Sequence, residues 1–114
     1  MTETRWPGEW LRGALALCVL GVLGDGPTYG YAISQRLAQA GLGAVKGGTL
    51  YPLLARLEKD GLVESAWQVG DAGPGRKYFS LTAAGRGELA SRSRDWDRFV
   101  DATRRTLTTF EETS

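Results

Sequence analysis

A chain of 114 residues with 14 basic and 13 acidic side chains is sized for one domain, and its net charge of +1 argues by itself neither for nucleic acid nor for an acidic ligand. It holds no histidine and a single cysteine. The usual general base, the usual zinc ligands and any internal disulfide are therefore missing, which leaves no evident enzyme, cofactor or metal site.

Charge is uneven along the chain. Between residues 26 and 82 six basic side chains (Arg36, Lys46, Arg56, Lys59, Arg76, Lys77) face four acidic ones (Glu58, Asp60, Glu64, Asp71), so the middle is mildly basic. Residues 1–8 read as an arm carrying Trp6 and Pro7. A first helix follows from about Glu9 to Leu23, with Trp10, Leu11, Ala14, Leu15, Leu17, Cys18, Val19, Leu20, Val22 and Leu23 around nearly its whole circumference. That distribution fits a helix with one face on its own domain and another on a second subunit, and equally a helix buried inside a monomer. The run is too short to span a membrane and contains Gly13 and Gly21. Preceded by Arg5 and Arg12 it loosely resembles a signal peptide, but no small-residue cleavage site follows it. Cys18 in this run reads as a small core hydrophobe in a reducing, cytoplasmic setting.

Gly24-Asp25-Gly26-Pro27 breaks the chain, and Thr28 is placed to cap a second helix to about Ala40 with Tyr29, Ala32, Ile33 and Leu37 inward. Gly41 to Gly48 reads as the turn between two helices. It lacks the Gly-Lys-Ser/Thr ending of a phosphate loop, and no strand precedes it.

A third helix begins near Gly48. Leu50, Leu53, Leu54 and Leu57 fall at i, i+3, i+4 and i+7 on one face, while Tyr51, Pro52, Ala55, Arg56 and Lys59 occupy the other. Thr49 is expected to cap its start, Pro52 to fall in its permissive first turn, and Gly61 to supply the left-handed residue that ends it. Leu62 to Val69 then alternates as a strand, Gly70 to Gly75 turns, and Arg76 to Leu81 returns. Helix, helix, turn, helix and a two-stranded hairpin make a winged helix-turn-helix, whose third helix enters the major groove while the wing touches the backbone or minor groove.

Thr82 is expected to cap a last helix that runs from about Ala83 to Phe110, roughly 40 Å at 1.5 Å per residue. Leu89, Trp96, Phe99, Val100, Thr103, Leu107 and Phe110 form its stripe. The length exceeds what a small domain can cover, so the outer half is expected to pair with another chain. The fold class is thus mainly α with a small wing. It divides into an arm (1–8), a DNA-binding domain (9–82) and a C-terminal dimerisation helix (83–114).

Three segments resemble the PadR family of transcriptional regulators: Tyr29-Gly30-Tyr31-Ala32-Ile33, the run from Gly48-Thr49-Leu50-Tyr51-Pro52 through Asp60-Gly61-Leu62, and Gly75-Arg76-Lys77-Tyr78-Phe79 with Leu81-Thr82 and Gly85. The resemblance covers about residues 10 to 110, and the single terminal helix is similar to the short subfamily that includes multidrug-sensing repressors. It implies a homodimer, joined through its first and last helices, that binds a palindromic operator and usually represses nearby genes. Ala32 departs from the pattern, where an acidic residue is often found.

From the residues, Lys46, Lys59, Arg76 and Lys77 are the cations placed for phosphates, with Tyr29, Thr49 and Tyr51 as hydroxyl donors. Base reading falls to Thr49, Tyr51, Pro52 and Arg56. Few of these are bidentate readers, so DNA shape is expected to share in specificity. The resemblance further implies that Trp96 faces its symmetry mate and clamps a planar aromatic ligand, with Trp10, Ala14, Leu15, Phe99 and Val100 lining the slot. The bland reading of Trp96 is dimer-core packing. The low net charge keeps open a second reading of the whole chain, a winged helix that binds protein and not DNA.

Overall fold

The computed structural model describes residues 6–70 and 73–113, with side chains through Leu107. Residues 1–5 of the expected arm, Asp71 and Ala72 of the hairpin turn, and the side chain of Phe110 lie outside what is described. The order of elements is α1 (Gly8–Gly24), β1 (Thr28–Tyr29), α2 (Gly30–Leu37), a wider helical turn (Ala38–Leu42), α3 (Gly47–Lys59), β2 (Val63–Gln68), β3 (Arg76–Leu81) and α4 (Ala83–Thr113).

The wing hairpin pairs antiparallel from Val63 opposite Leu81 to Gln68 opposite Arg76. A third strand joins it. β1 lies on the other edge of β3, with Thr28 opposite Phe79 and Tyr29 opposite Tyr78, giving the order β1-β3-β2. Two residues are too few to show alternation, so only the break before them was legible in sequence. Thr28 belongs to this strand and does not cap α2, which starts after an extended Tyr29 with no side-chain cap.

The start of α3 also differs from expectation. Gly47 and Gly48 are helical, Lys46 is the boundary residue, and Thr49 lies inside the helix, where its hydroxyl caps nothing. Pro52 is therefore the sixth helical residue, past the first turn, and withholds the amide that the Gly48 carbonyl would otherwise accept. A proline in such a position costs about 3 kcal/mol. Leu50, Leu53, Leu54 and Leu57 are all buried, and each contributes about 1.5–3 kcal/mol by leaving water, so packing on the inner face outweighs the missing bond. An isolated helix of this length would be marginal; the core makes it.

The end of α3 is as the glycine suggested. Gly61 has φ +78°. Its amide donates to the Glu58 carbonyl (3.0 Å) and that of Leu62 to the Leu57 carbonyl (3.0 Å), with both Leu57 and Leu62 buried. This is a Schellman ending with its apolar contact. The core under it joins Val19, Leu20 and Leu23 of α1, Ile33 and Leu37 of α2, the leucines of α3, and Val63, Phe79 and Leu81 of the sheet. Cys18 packs half-buried at its margin, and burial pushes its thiol up, which keeps it protonated and a poor nucleophile.

Three contacts hold the working elements to one another. Ser34 Oγ donates to the Val45 carbonyl (2.9 Å), tying α2 to the turn before α3. Ser65 Oγ donates to Glu58 Oε2 (2.7 Å), tying α3 to the wing. Thr82 then joins both to α4. Its amide donates to the Leu62 carbonyl (3.1 Å), its hydroxyl donates to the Gly61 carbonyl (2.6 Å), and the same oxygen accepts from the Gly85 amide (3.0 Å), capping α4. Gly85 is needed for the approach, since a Cβ there would stand 2.0 Å from the Leu62 carbonyl oxygen.

Thr82→Ala is expected to destabilise the fold by about 1–2 kcal/mol by removing the cap. Gly85→Ala should cost more, about 3 kcal/mol, because the carbonyl it meets belongs to the backbone and cannot turn aside. Urea unfolding at a fixed protein concentration measures both, and equal midpoints for native chain and Gly85→Ala would contradict the tight joint.

Candidate nucleic-acid interface

The outer face of α3 presents Thr49, Tyr51, Pro52, Arg56 and Lys59 to solvent, as the leucine spacing requires. Lys46 is exposed just ahead of it. Neither α2 nor α3 has a side-chain cap, and in α3 the Thr49 amide turns back to the Lys46 carbonyl (3.0 Å), so the amides ahead of it are open to water or to an acceptor brought by a partner. Helix starts of this kind favour anions.

A cleft of about 520 Å³ opens beside α3, lined by Tyr29, Gly30, Tyr31, Tyr51, Trp67, Gly75, Arg76 and Lys77. Four of the nine residues expected to meet nucleic acid thus come together: Tyr29, Tyr51, Arg76 and Lys77. The other five do not line it. Arg56 and Lys59 sit one and two turns further along α3, Lys59 about 12 Å from Tyr51 at 1.5 Å per residue. Lys46, Thr49 and Pro52 surround the N-terminal end of the same helix.

Packing fixes most of the cleft's walls. The Arg76 guanidinium lies 4.4 Å from the centroid of the Tyr29 ring, a cation–π contact that holds the charge over β1. Tyr29 in turn meets Tyr78 edge-on at 5.4 Å. Lys77 Nζ stands 5.8 Å from the Phe79 ring. Tyr51 rests directly on Gly30. A Cβ at Gly30 would fall 2.2 Å from the Tyr51 hydroxyl and 2.6 Å from the ring carbon that bears it, so the glycine makes room for the tyrosine at the start of α2.

Tyr31 and Trp67 were not expected here. Tyr31 is exposed and accepts a hydrogen bond from Gln35 Nε2 (3.2 Å). Trp67 is an aromatic in a strand, which sequence reads by default as half-buried. Only the register of the hairpin shows that it stands beyond the core.

The residues expected to line an aromatic slot are more scattered. Trp96 and Phe99 are neighbours on α4, with ring centroids 5.8 Å apart, and Val100 beside them is half-buried. Trp10 is exposed on α1 and pairs with Trp6 at 6.4 Å, while Trp6 Nε1 donates to the Gly41 carbonyl (2.8 Å). Ala14 is half-buried. Leu15 is buried in the domain's own core and is already occupied there.

The Gly30–Tyr51 fit yields a double-mutant cycle. Gly30→Ala alone is expected to destabilise the chain by about 1–3 kcal/mol through overpacking. In a Tyr51→Ala background the same change should be neutral or stabilising, because alanine is the better helix former. Additive effects in thermal unfolding would show that the two residues do not meet.

Known proteins share this fold. Residues 19–91 match the transcriptional regulator PadR-like family. The chain is 41% identical over 81 residues to transcriptional regulator Rv3488 of Mycobacterium tuberculosis, covering 71% of this chain and 74% of that one. Among solved structures it resembles a PadR family transcriptional regulator from Eggerthella lenta, at 37% identity and a TM-score of 0.78 over 87% of this chain and 86% of that one. A PadR-like transcriptional regulator from Bacillus cereus gives 31% identity and a TM-score of 0.78, over 87% of this chain and 96% of that one. The family consists of regulators and not of enzymes, and no helix among the described residues is long and apolar enough to cross a membrane. The chain belongs to the PadR-like family of transcriptional regulators.

Proposed function

We propose that this regulator is a cytoplasmic homodimeric repressor that binds a palindromic operator through α3 and the wing, and that a flat aromatic compound between its subunits relieves it. In this dimer residues 9–82 bind DNA, α1 sharing in the dimer interface, and 83–114 dimerise. What carries the DNA reading is the cleft, in which two cations from β3, the hydroxyls of Tyr29 and Tyr51, and the uncapped start of α2 share one surface beside the outward face of α3. These groups suit phosphates, and phosphate contacts set register.

The dimer reading rests on α4. From Arg92 to Leu107 every side chain except Val100 is exposed, including Phe99 at 62% and Leu107 at 56%. A helix extending about 46 Å at 1.5 Å per residue, with an uncovered apolar stripe, gains most of its stability by pairing. Trp10, Trp96 and Phe99 are all exposed on the two helices expected to meet the second copy. Aromatic walls of that sort suit a planar guest, and Asp97 and Asp101 nearby favour a cationic one.

Footprinting the protein on DNA immediately upstream of its own coding region should reveal two protected half-sites. Arg76→Ala with Lys77→Ala is expected to weaken binding there and to flatten the dependence on salt by about one unit of slope for each phosphate no longer neutralised. Unchanged affinity and slope in a fluorescence titration would count against the wing, and absence of any salt-dependent binding would favour a protein-binding winged helix.

A planar aromatic dye should quench tryptophan emission and lower operator affinity in the same concentration range, as linkage between the two ligands demands. Trp96→Ala should abolish both effects while the chain still sediments as a dimer. A dye panel that does neither to the native protein defeats the effector reading.

A further inference from the structure

Trp67 is 70% exposed in a strand whose alternation ought to have buried it. Directly opposed residues of a hairpin share a face, so Val63 with Leu81, Ser65 with Phe79 and Trp67 with Lys77 lie on one side of the sheet. Val63, Phe79 and Leu81 on that side are buried. The face is therefore the core face, and Trp67 is its continuation past the edge of the core, where no described part of the chain covers it. It stands in the cleft with Tyr31 and Tyr51 and beside Lys77, away from the apolar stripe of α4.

We infer that Trp67 is a DNA-contacting residue, its indole lying against the deoxyribose face of the operator backbone while Lys77 on the same face, and Arg76 across the strand in the same cleft, meet the adjoining phosphates. This rests on the DNA-binding reading above. The occupant follows from complementarity. An indole beside Lys77, in a cleft that also holds Arg76 and the phenols of Tyr31 and Tyr51, offers an apolar plane bordered by anion partners, and the sugar-phosphate chain presents apolar sugars bordered by anions. A second copy of this protein would bring near-neutral charge to a surface that is locally basic.

The contact has a signature that a lysine lacks. Being uncharged, Trp67 releases no counterion when it docks, so Trp67→Ala should lower operator affinity about tenfold with the salt slope unchanged. Lys77→Ala should lower affinity and slope together. Because Trp67 is largely exposed, the thermal midpoint of Trp67→Ala should match that of the native chain, which separates the effect from misfolding. Operator binding should also shift native tryptophan emission to the blue, and the shift should persist in Trp96→Phe and vanish in Trp67→Phe. If the native chain binds operator with its salt dependence and Trp67→Ala binds equally well, the inference is overturned while the DNA reading stands. Loss of self-association in that variant at unchanged operator affinity would make a second copy the occupant instead. If the native chain binds no DNA, both fall.

Discussion

One threonine fixes the relation between the winged-helix part of this molecule and its last helix. Thr82 commits its amide to the Leu62 carbonyl, and its hydroxyl both donates to Gly61 and accepts from Gly85. Those partners are the terminal cap of α3, the first residue after that cap, and the first turn of α4. A side chain at Gly85 would collide with the same carbonyl. The exit of the helix proposed to read DNA and the entry of the helix proposed to dimerise are thus one joint, built from short and directional bonds. Directionality matters more here than energy. Hydrophobic burial holds the elements together but leaves their mutual angle loosely defined, whereas this joint defines it.

Much of the fold was legible because it is written in period and punctuation. Four leucines at helical spacing gave α3 and its buried side, and Gly61 gave its end. The three-residue offset from Thr82 to Gly85 fits a cap. What could not be read had no local period. β1 is two residues long and exists only because β3 offers it an edge. The start of α3 lies two residues before its expected cap, because the inner leucine stripe sustains a helix through Gly47 and Gly48 that local propensity would not predict.

The candidate site was legible in part for a similar reason. Charge and hydroxyl chemistry pointed to Tyr29, Tyr51, Arg76 and Lys77, which the fold gathers into one cleft. It did not point to Tyr31 or Trp67, since an aromatic in a strand or helix is ordinarily core, and only cross-strand register distinguishes the residue that has run past the core's edge. Leu15 shows the converse. A residue on a helix apolar all round can face either partner, and here it faces its own domain. Family membership supplies the class of activity, and the cleft holds the groups proposed to carry it out.

The hydrogen bond from Ser65 to Glu58 is small, but it has a mechanical meaning. It fastens the wing to α3, and the Ser34 bond to Val45 fastens α2 to the turn leading into the same helix. Helix and wing are tied together as one jaw. In a caliper whose jaws do not flex, the measured gap changes only at the beam, and in the proposed dimer the beam is the pair of α4 helices. A guest lodged in the proposed slot at Trp96 need not disturb a single side chain proposed to face DNA to spoil the fit. A change of a few degrees in how the two beams cross, carried through the Thr82 joint, would put both jaws out of step with a helical repeat of about 10–10.5 base pairs.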